Sequence, residues 1–178
     1  MSGVVVAFSG AIKSGKSSLA RAVAITLSCP CVSFGDQVRS EVRARGLAES
    51  REILQQVGES LVSQHLTEFC EDTLAQARSW APPQPLVIEG IRHAEALSEL
   101  RMLVNPVRLF HVHIMLGQPT RSARAAKSGG TLSNRWDAHS TERQVHTDLP
   151  RIADLVVDGE LATNVQVDRI VAWLSQNS

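Results

Sequence analysis

The sequence is poor in aromatic residues and carries no net charge. It has no tyrosine, four phenylalanines and three tryptophans among 178 residues, and 18 basic residues balance 18 acidic ones. A protein that binds nucleic acid usually offers a basic surface and rings on which bases stack. An anionic membrane surface likewise attracts proteins with a positive surplus. We therefore expect neither nucleic acid nor a membrane as a partner.

Cysteine and long apolar runs are also scarce. The three cysteines cannot all pair, and Cys29 and Cys31 lie too close in sequence for the usual zinc-ligand spacing. No stretch of about 20 apolar residues could cross a bilayer, and the first residues lack the basic and apolar regions of a signal peptide. We expect a cytoplasmic protein with reduced thiols.

Apolar strands alternate with amphipathic helices along the chain. The predicted strands cover residues 4–8, 31–34, 85–90, 107–116 and 153–159. The predicted helices cover residues 16–27, 37–45, 50–78, 94–103, 119–129, 140–148 and 165–174. Continuous apolar runs are typical of parallel strands that are buried on both faces. The pattern predicts a single α/β domain over residues 1–178, with a parallel sheet of about five strands and helices on both faces.

A glycine-rich loop, GAIKSGKS, follows the first strand and fits the P-loop motif G-x-x-x-x-G-K-[ST]. Gly10 and Gly15 let backbone N–H groups converge on a phosphate, and the next helix directs its N-terminus at the same anion. In this motif Lys16 reaches the β- and γ-phosphates, and the Ser17 hydroxyl ligates Mg²⁺. The loop therefore predicts ATP and Mg²⁺ as cofactors. The residues predicted to bind the nucleotide are Gly10, Ala11, Ile12, Lys13, Ser14, Gly15, Lys16, Ser17 and Ser18.

Beyond this loop, the chain resembles the nucleoside monophosphate kinases, including their dephospho-CoA kinase-like members. The stretch VSFGDQVRSEV resembles the G-D-x-x-R segment of the adenylate kinase-type enzymes. The resemblance implies that Arg39 binds the phosphate of the acceptor, with Asp36 beside it. The stretch LVIEGIRH is similar to the family's strand that ends in Asp-Gly. It implies that Glu89 is the acidic group behind Mg²⁺ and that Arg92 is a second acceptor ligand, although Glu stands here for the usual Asp.

The second half of the chain continues the resemblance. PTRSAR, at residues 119–124, resembles the start of the family's lid, which implies that Arg121 and Arg124 are catalytic and close over the transferred group. The lid would cover about residues 119–147, without a cysteine cluster for zinc, and the acceptor-binding helices about residues 36–80. The tail ADLVVDGELATNVQVDRIVAWL is similar to the end of dephospho-CoA kinase-like proteins. The family implies a P-loop NTPase fold with a short helical lid.

The chemistry of individual residues supports some of these roles independently of the family resemblance. A carboxylate such as Glu89 at the carboxyl end of an apolar strand is costly without a cation. Arg39 follows a strand end, where open α/β sheets bind ligands. Alternatively, Arg39 is a solvated residue on a helix surface. Arg121 and Arg124 could likewise belong to a charged surface helix without a catalytic role. His111 and His113 point to the same side of one strand, where we expect packing rather than metal binding.

Together, these features predict an ATP- and Mg²⁺-dependent small-molecule kinase that acts on a nucleoside or deoxynucleoside monophosphate. Phosphoryl transfer needs mainly charge stabilisation and positioning, which a P-loop and several arginines provide. Dephospho-CoA is an alternative acceptor, and a nucleotide-sensing module without turnover is an alternative function. The sequence does not determine the oligomeric state, and a homodimer is one alternative.

Overall fold

The strands form one parallel sheet in a computed structural model that describes residues 3–127 and 140–178. The strands are β1 (Val4–Gly10), β2 (Cys31–Ser33), β3 (Leu86–Ile91), β4 (Arg108–Met115) and β5 (Leu155–Asp158). Their order across the sheet is β2-β3-β1-β4-β5, and every neighbouring pair is parallel. The predicted fold class is confirmed.

The helices lie on both faces of this sheet. They are α1 (Lys16–Thr26), α2 (Phe34–Ala44), α3 (Arg51–Gln64), α4 (Leu66–Ala75), α5 (Ala94–Leu103), α6 (Gln118–Lys127), α7 (Ser140–Arg151) and α8 (Thr163–Asn177). None of these described helices is long and apolar enough to span a bilayer.

Alternate residues of β1 enter two separate cores because successive side chains of a strand point to opposite faces. Val6 and Phe8 pack in a cluster with residues of α1 and α8. Val5 and Ala7 pack in the opposite cluster, with residues of α2, α3, α4, α5 and α7. All seven residues of β1 are buried, as the apolar run predicts. Because β1 is the central strand, the loop that follows it lies at the middle of the sheet's carboxyl edge.

The region between β2 and β3 differs from the sequence prediction. The predicted helix over 50–78 is two helices, because His65 leaves the helical conformation at φ −140° and ψ 40°. α2 also begins earlier than predicted, at Phe34, because the Ser33 side chain caps it by accepting a hydrogen bond from the Asp36 N–H. Gly35 and Asp36 therefore belong to the first turn of a helix. These helices build one wall of the candidate site.

The predicted lid is described only in part. α6 covers its first residues, and α7 begins at Ser140. Residues 128–139, which include Trp136 and Asp137, lie outside the described residues. The lid over 119–147 and the single-domain organisation stay predictions. The thiols of Cys29, Cys31 and Cys70 are free.

Candidate active site

The P-loop joins β1 to α1 in a conformation that needs its glycines. Gly15 has φ +93°, and a Cβ on Gly10 would lie 2.8 Å from the Ser14 Oγ and 3.0 Å from the Ile114 backbone oxygen. The Ser14 N–H donates to the Ala11 carbonyl oxygen (3.1 Å), which closes a turn inside the loop. A side chain at either glycine would displace the loop.

The same loop fits a phosphate. The N-cap of α1 is Gly15, which offers no side-chain hydrogen bond to the first N–H groups of the helix, and a helix N-terminus favours a bound anion. The Ser14 side chain is only 2% exposed, and its Oγ has no hydrogen-bond partner among the described residues. A buried hydroxyl without a partner is costly, and an anion held by the loop would remove that cost. The residues present therefore fit the phosphates of ATP.

Glu89 lies at the centre of the site, on β3 next to the P-loop. The Ser17 Oγ donates to its Oε2 (2.9 Å), and the Ser33 Oγ donates to its Oε1 (2.7 Å). The Lys16 Nζ lies 3.9 Å from Oε2, and Glu89 is only 8% exposed. Because Ser17 donates its proton to Glu89, its oxygen lone pairs stay available to a cation. A hydroxyl and a carboxylate are oxygen donors of the kind that Mg²⁺ prefers, so this pair fits the ion.

Ser33 was not predicted from the sequence. It lies beside Glu89 because β2 pairs with β3 in a register that places these two residues opposite each other. Its position at the carboxyl end of a strand was the available signal, since ligand sites of open α/β sheets lie at that edge. The same hydroxyl caps α2 and donates to Glu89, so it connects the start of α2 to the carboxylate on β3.

A cleft of about 500 Å³ opens in front of these residues, between the P-loop, α2, α3 and the start of α5. The cationic side chains that line it are Lys13, Lys16, Arg39, Arg51 and Arg92. The carboxylates that line it are Glu59 and Glu89. Its apolar wall consists of Phe34, Val38, Leu54, Val62, Phe69 and Ile91. The cleft therefore suits an anion joined to an apolar group.

The predicted acceptor residues are only partly brought together. Arg39 and Arg92 line the cleft. Asp36 does not; it lies on the first turn of α2, and its Oδ1 accepts a hydrogen bond from the Arg39 Nη1 (3.0 Å). Arg51 and Gln55 of α3 also line the cleft, although the sequence pattern alone did not assign them a role. The apolar periodicity of the sequence predicts the helices of this region. Which of their side chains line the cleft depends on how the helices pack.

The two predicted lid arginines do not line the cleft. Arg121 is 3% exposed on α6. The Arg124 guanidinium donates to the Ser14 carbonyl oxygen (3.0 Å) through Nη1 and to the Gly159 carbonyl oxygen (2.9 Å) through Nη2. Arg124 thus ties α6 to the P-loop and to the loop after β5. A catalytic role for either arginine stays a prediction.

A polar network is buried at the base of the P-loop. The Ser9 Oγ lies 2.7 Å from the His111 Nε2 and 2.7 Å from the His113 Nδ1. Burial, with a smaller effect from the neighbouring His113, lowers the pKa of His111 to about 4. Burial likewise lowers the pKa of His113 to about 4, with a smaller effect from His146 of α7. Both imidazoles are therefore neutral at pH 7, and the hydroxyl can donate to one ring and accept from the other.

The fold and the loop correspond to a known family. A family model described as AAA domain matches residues 10–108, more than half of the chain. The chain belongs to this family. The match covers the P-loop, the helices of the cleft wall, Glu89 and Arg92. No curated protein matches the sequence.

Solved kinase structures resemble this AAA domain protein over nearly its whole length. A gluconokinase from Sinorhizobium meliloti 1021 is 17% identical with a TM-score of 0.64, covering 98% of this chain and 93% of that chain. The shikimate kinase from Aquifex aeolicus is 20% identical with a TM-score of 0.64, covering 97% of both chains. The APS kinase from Mycobacterium tuberculosis is 18% identical with a TM-score of 0.54, covering 98% of both chains. The chain therefore has the fold of the P-loop small-molecule kinases.

Proposed function

We propose that the protein is an ATP- and Mg²⁺-dependent kinase that phosphorylates a nucleoside or deoxynucleoside monophosphate. One observation carries the proposal: a single cleft joins the P-loop, with Lys16 and Ser17, to a second set of cations on α2, α3 and the segment after β3. A donor and an anionic acceptor could therefore meet there. ATP, when bound, supplies the γ-phosphoryl group, and Mg²⁺ offsets part of its charge.

The residues of the donor end have distinct tasks in this proposal. Lys16 would bind the β- and γ-phosphates, and Ser17 with Glu89 would hold Mg²⁺. The P-loop N–H groups would orient the triphosphate so that the γ-phosphorus faces the cleft. Glu89 keeps the Ser17 hydroxyl in one orientation through their 2.9 Å hydrogen bond. These contacts would stabilise the charge of the transferred phosphoryl group, and no protein side chain would form a covalent bond to it.

The acceptor end supports a phosphorylated acceptor. Arg39 and Arg92 would bind its phosphate and offset the repulsion between two phosphates. An oxygen of that phosphate would form a bond to the γ-phosphorus as the bond to the bridging oxygen of ADP breaks. A phosphate oxygen is already ionised at neutral pH and needs no general base, which agrees with Asp36 lying outside the cleft. The apolar wall suits a nucleobase.

The proposal is tested by measuring ADP release from Mg²⁺-ATP with each candidate acceptor. The panel contains all nucleoside monophosphates in ribo and deoxy form, dephospho-CoA, and the hydroxyl acceptors gluconate, shikimate and APS. We expect strong stimulation by at least one monophosphate. Stimulation by dephospho-CoA or a hydroxyl acceptor alone would replace the acceptor class. ATP binding by calorimetry without any stimulated release would identify a nucleotide sensor.

A further inference from the structure

Lys13 occupies a backbone position that favours glycine. Its φ is +64°, and it is the third residue of the turn that the Ser14 N–H closes on the Ala11 carbonyl. Glycine or asparagine is preferred where this turn position has positive φ, because a Cβ is crowded there. Among the described residues, Ser28 is the other non-glycine residue with positive φ, at +51°. Ser28 directly follows the end of α1, where left-handed residues are common.

Neither packing nor the loop motif explains a lysine at this position. The Lys13 side chain is exposed, so it does not contribute to a core. The P-loop motif requires Lys16 and leaves the residue at position 13 open. A backbone outlier at a candidate site points to a role of its side chain.

The surroundings of Lys13 indicate what that role is. Its side chain lines the same cleft as Arg39 and Arg92. The Lys16 ammonium, in contrast, lies 3.9 Å from Glu89 on the metal side of the site. Both lysines of the loop line the cleft, and Lys16 is the one that lies beside Glu89. A cation between two phosphates lowers the repulsion that opposes their approach.

We propose that Lys13 is a second P-loop lysine, which binds the anionic group of the acceptor where it meets the γ-phosphate. This inference rests on the proposed function for its catalytic meaning, but its binding role can be tested separately. The probe is inorganic phosphate, titrated by calorimetry into protein saturated with Mg²⁺ and the non-hydrolysable ATP analogue AMPPNP. With the donor site filled, added phosphate reports on the acceptor end.

Three variants separate the effect of the Lys13 charge from the effect of the positive φ at that position. Lys13→Gln removes the charge and keeps a side chain at positive φ, Lys13→Gly removes both, and Ser28→Gly relieves the other strained position away from the cleft. Both Lys13 variants should bind phosphate roughly 10- to 100-fold more weakly, with AMPPNP affinity nearly unchanged. Lys13→Gly and Ser28→Gly should each raise Tm by about 2–4 °C, while Lys13→Gln should not. In ADP release, the KM of the best monophosphate should rise more than kcat falls for Lys13→Gln, and Ser28→Gly should match the unmutated protein.

The possible failures are distinguishable. Unchanged phosphate affinity in Lys13→Gln, or no phosphate binding to the unmutated protein, would overturn the inference. An equal loss of AMPPNP affinity would assign Lys13 to the donor site and overturn it as well. If phosphate binding depends on Lys13 but no acceptor stimulates ADP release, the proposed function fails and the Lys13 assignment stands.

Discussion

The donor end and the acceptor end of the cleft are built in different ways. The proposed donor end comes from one contiguous segment that includes Lys16 and Ser17, and the Lys16 side chain is 14% exposed. The acceptor end takes single side chains from α2, α3 and the segment after β3, and the Arg39 side chain is 46% exposed. The donor end therefore depends on backbone geometry, whereas the acceptor end depends on how separate helices pack. The two ends should respond differently to the same kind of change.

The largest expected effect is at the donor end. Lys16→Ala should lower acceptor-dependent ADP release by roughly 10²- to 10³-fold, because it removes a cation directed at the charge of the transferred group. Lys16 lies outside the two apolar cores, so Tm should stay within about 2 °C. Steady-state kinetics and thermal unfolding check both parts. A variant that keeps normal turnover would remove the P-loop from the mechanism.

Acid should lower the folding stability through the two histidines buried at the base of the P-loop. The pKa values of His111 and His113 are about 4 in the folded protein, below the ordinary value of 6.5. The unfolded state therefore binds more protons between pH 6.5 and 4, and stability is lost as the pH falls through that window. Each histidine should contribute a loss on the order of 3 kcal/mol, complete below pH 4.

This pH dependence is measured by urea unfolding between pH 4 and 7. His113→Gln should flatten the curve, because it removes one of the two buried imidazoles. A slope that persists in the double variant of His111 and His113 would place its origin elsewhere.

At the acceptor end, Arg39→Ala should raise the acceptor KM by about 10- to 100-fold, the effect of losing a charge-assisted hydrogen bond. ATP affinity, measured by calorimetry, should stay nearly unchanged. Arg39→Lys should restore part of the loss, since an ammonium cannot reproduce a two-pronged contact.

The matched control is Arg43→Ala, on the same helix, where the side chain is paired with Glu49 and does not line the cleft. It should leave the acceptor KM unchanged. A parallel loss of ATP affinity in Arg39→Ala would assign Arg39 to the donor site or to the structure.

The smallest expected effect is on stability, when a glycine is replaced by alanine at each end of the cleft. Gly58→Ala on α3 places a Cβ 3.6 Å from the Val38 Cγ2, an ordinary contact, and should stabilise the helix by about 0.5–1 kcal/mol. Gly15→Ala places a Cβ 3.3 Å from the Arg124 Nη1 at φ +93°, and should lower both Tm and ATP affinity. Thermal unfolding of the two variants should therefore show opposite signs. Shifts of the same sign would contradict the contrast between the ends.

The sheet was predictable because its signals are local. Each strand from β1 to β5 contains neighbouring apolar residues, and the P-loop is a contiguous motif, so both follow from residues close together in sequence. The break at His65 was missed because no proline or glycine marks it; the packing of α3 and α4 against the core decides it. The early start of α2 was missed because Ser33 reads as the end of a strand, although its hydroxyl also caps the helix.

The sequence by itself determined the α/β fold and the loop that fits a phosphate, since periodicity and a fixed spacing express both. Only the tertiary structure decided that Ser33 bonds Glu89 and that Arg124 ties α6 to the P-loop. It also decided that Arg51 lines the cleft while Asp36 does not. These contacts join residues that are distant along the chain. Their geometry follows from strand register and helix packing, which no local pattern specifies.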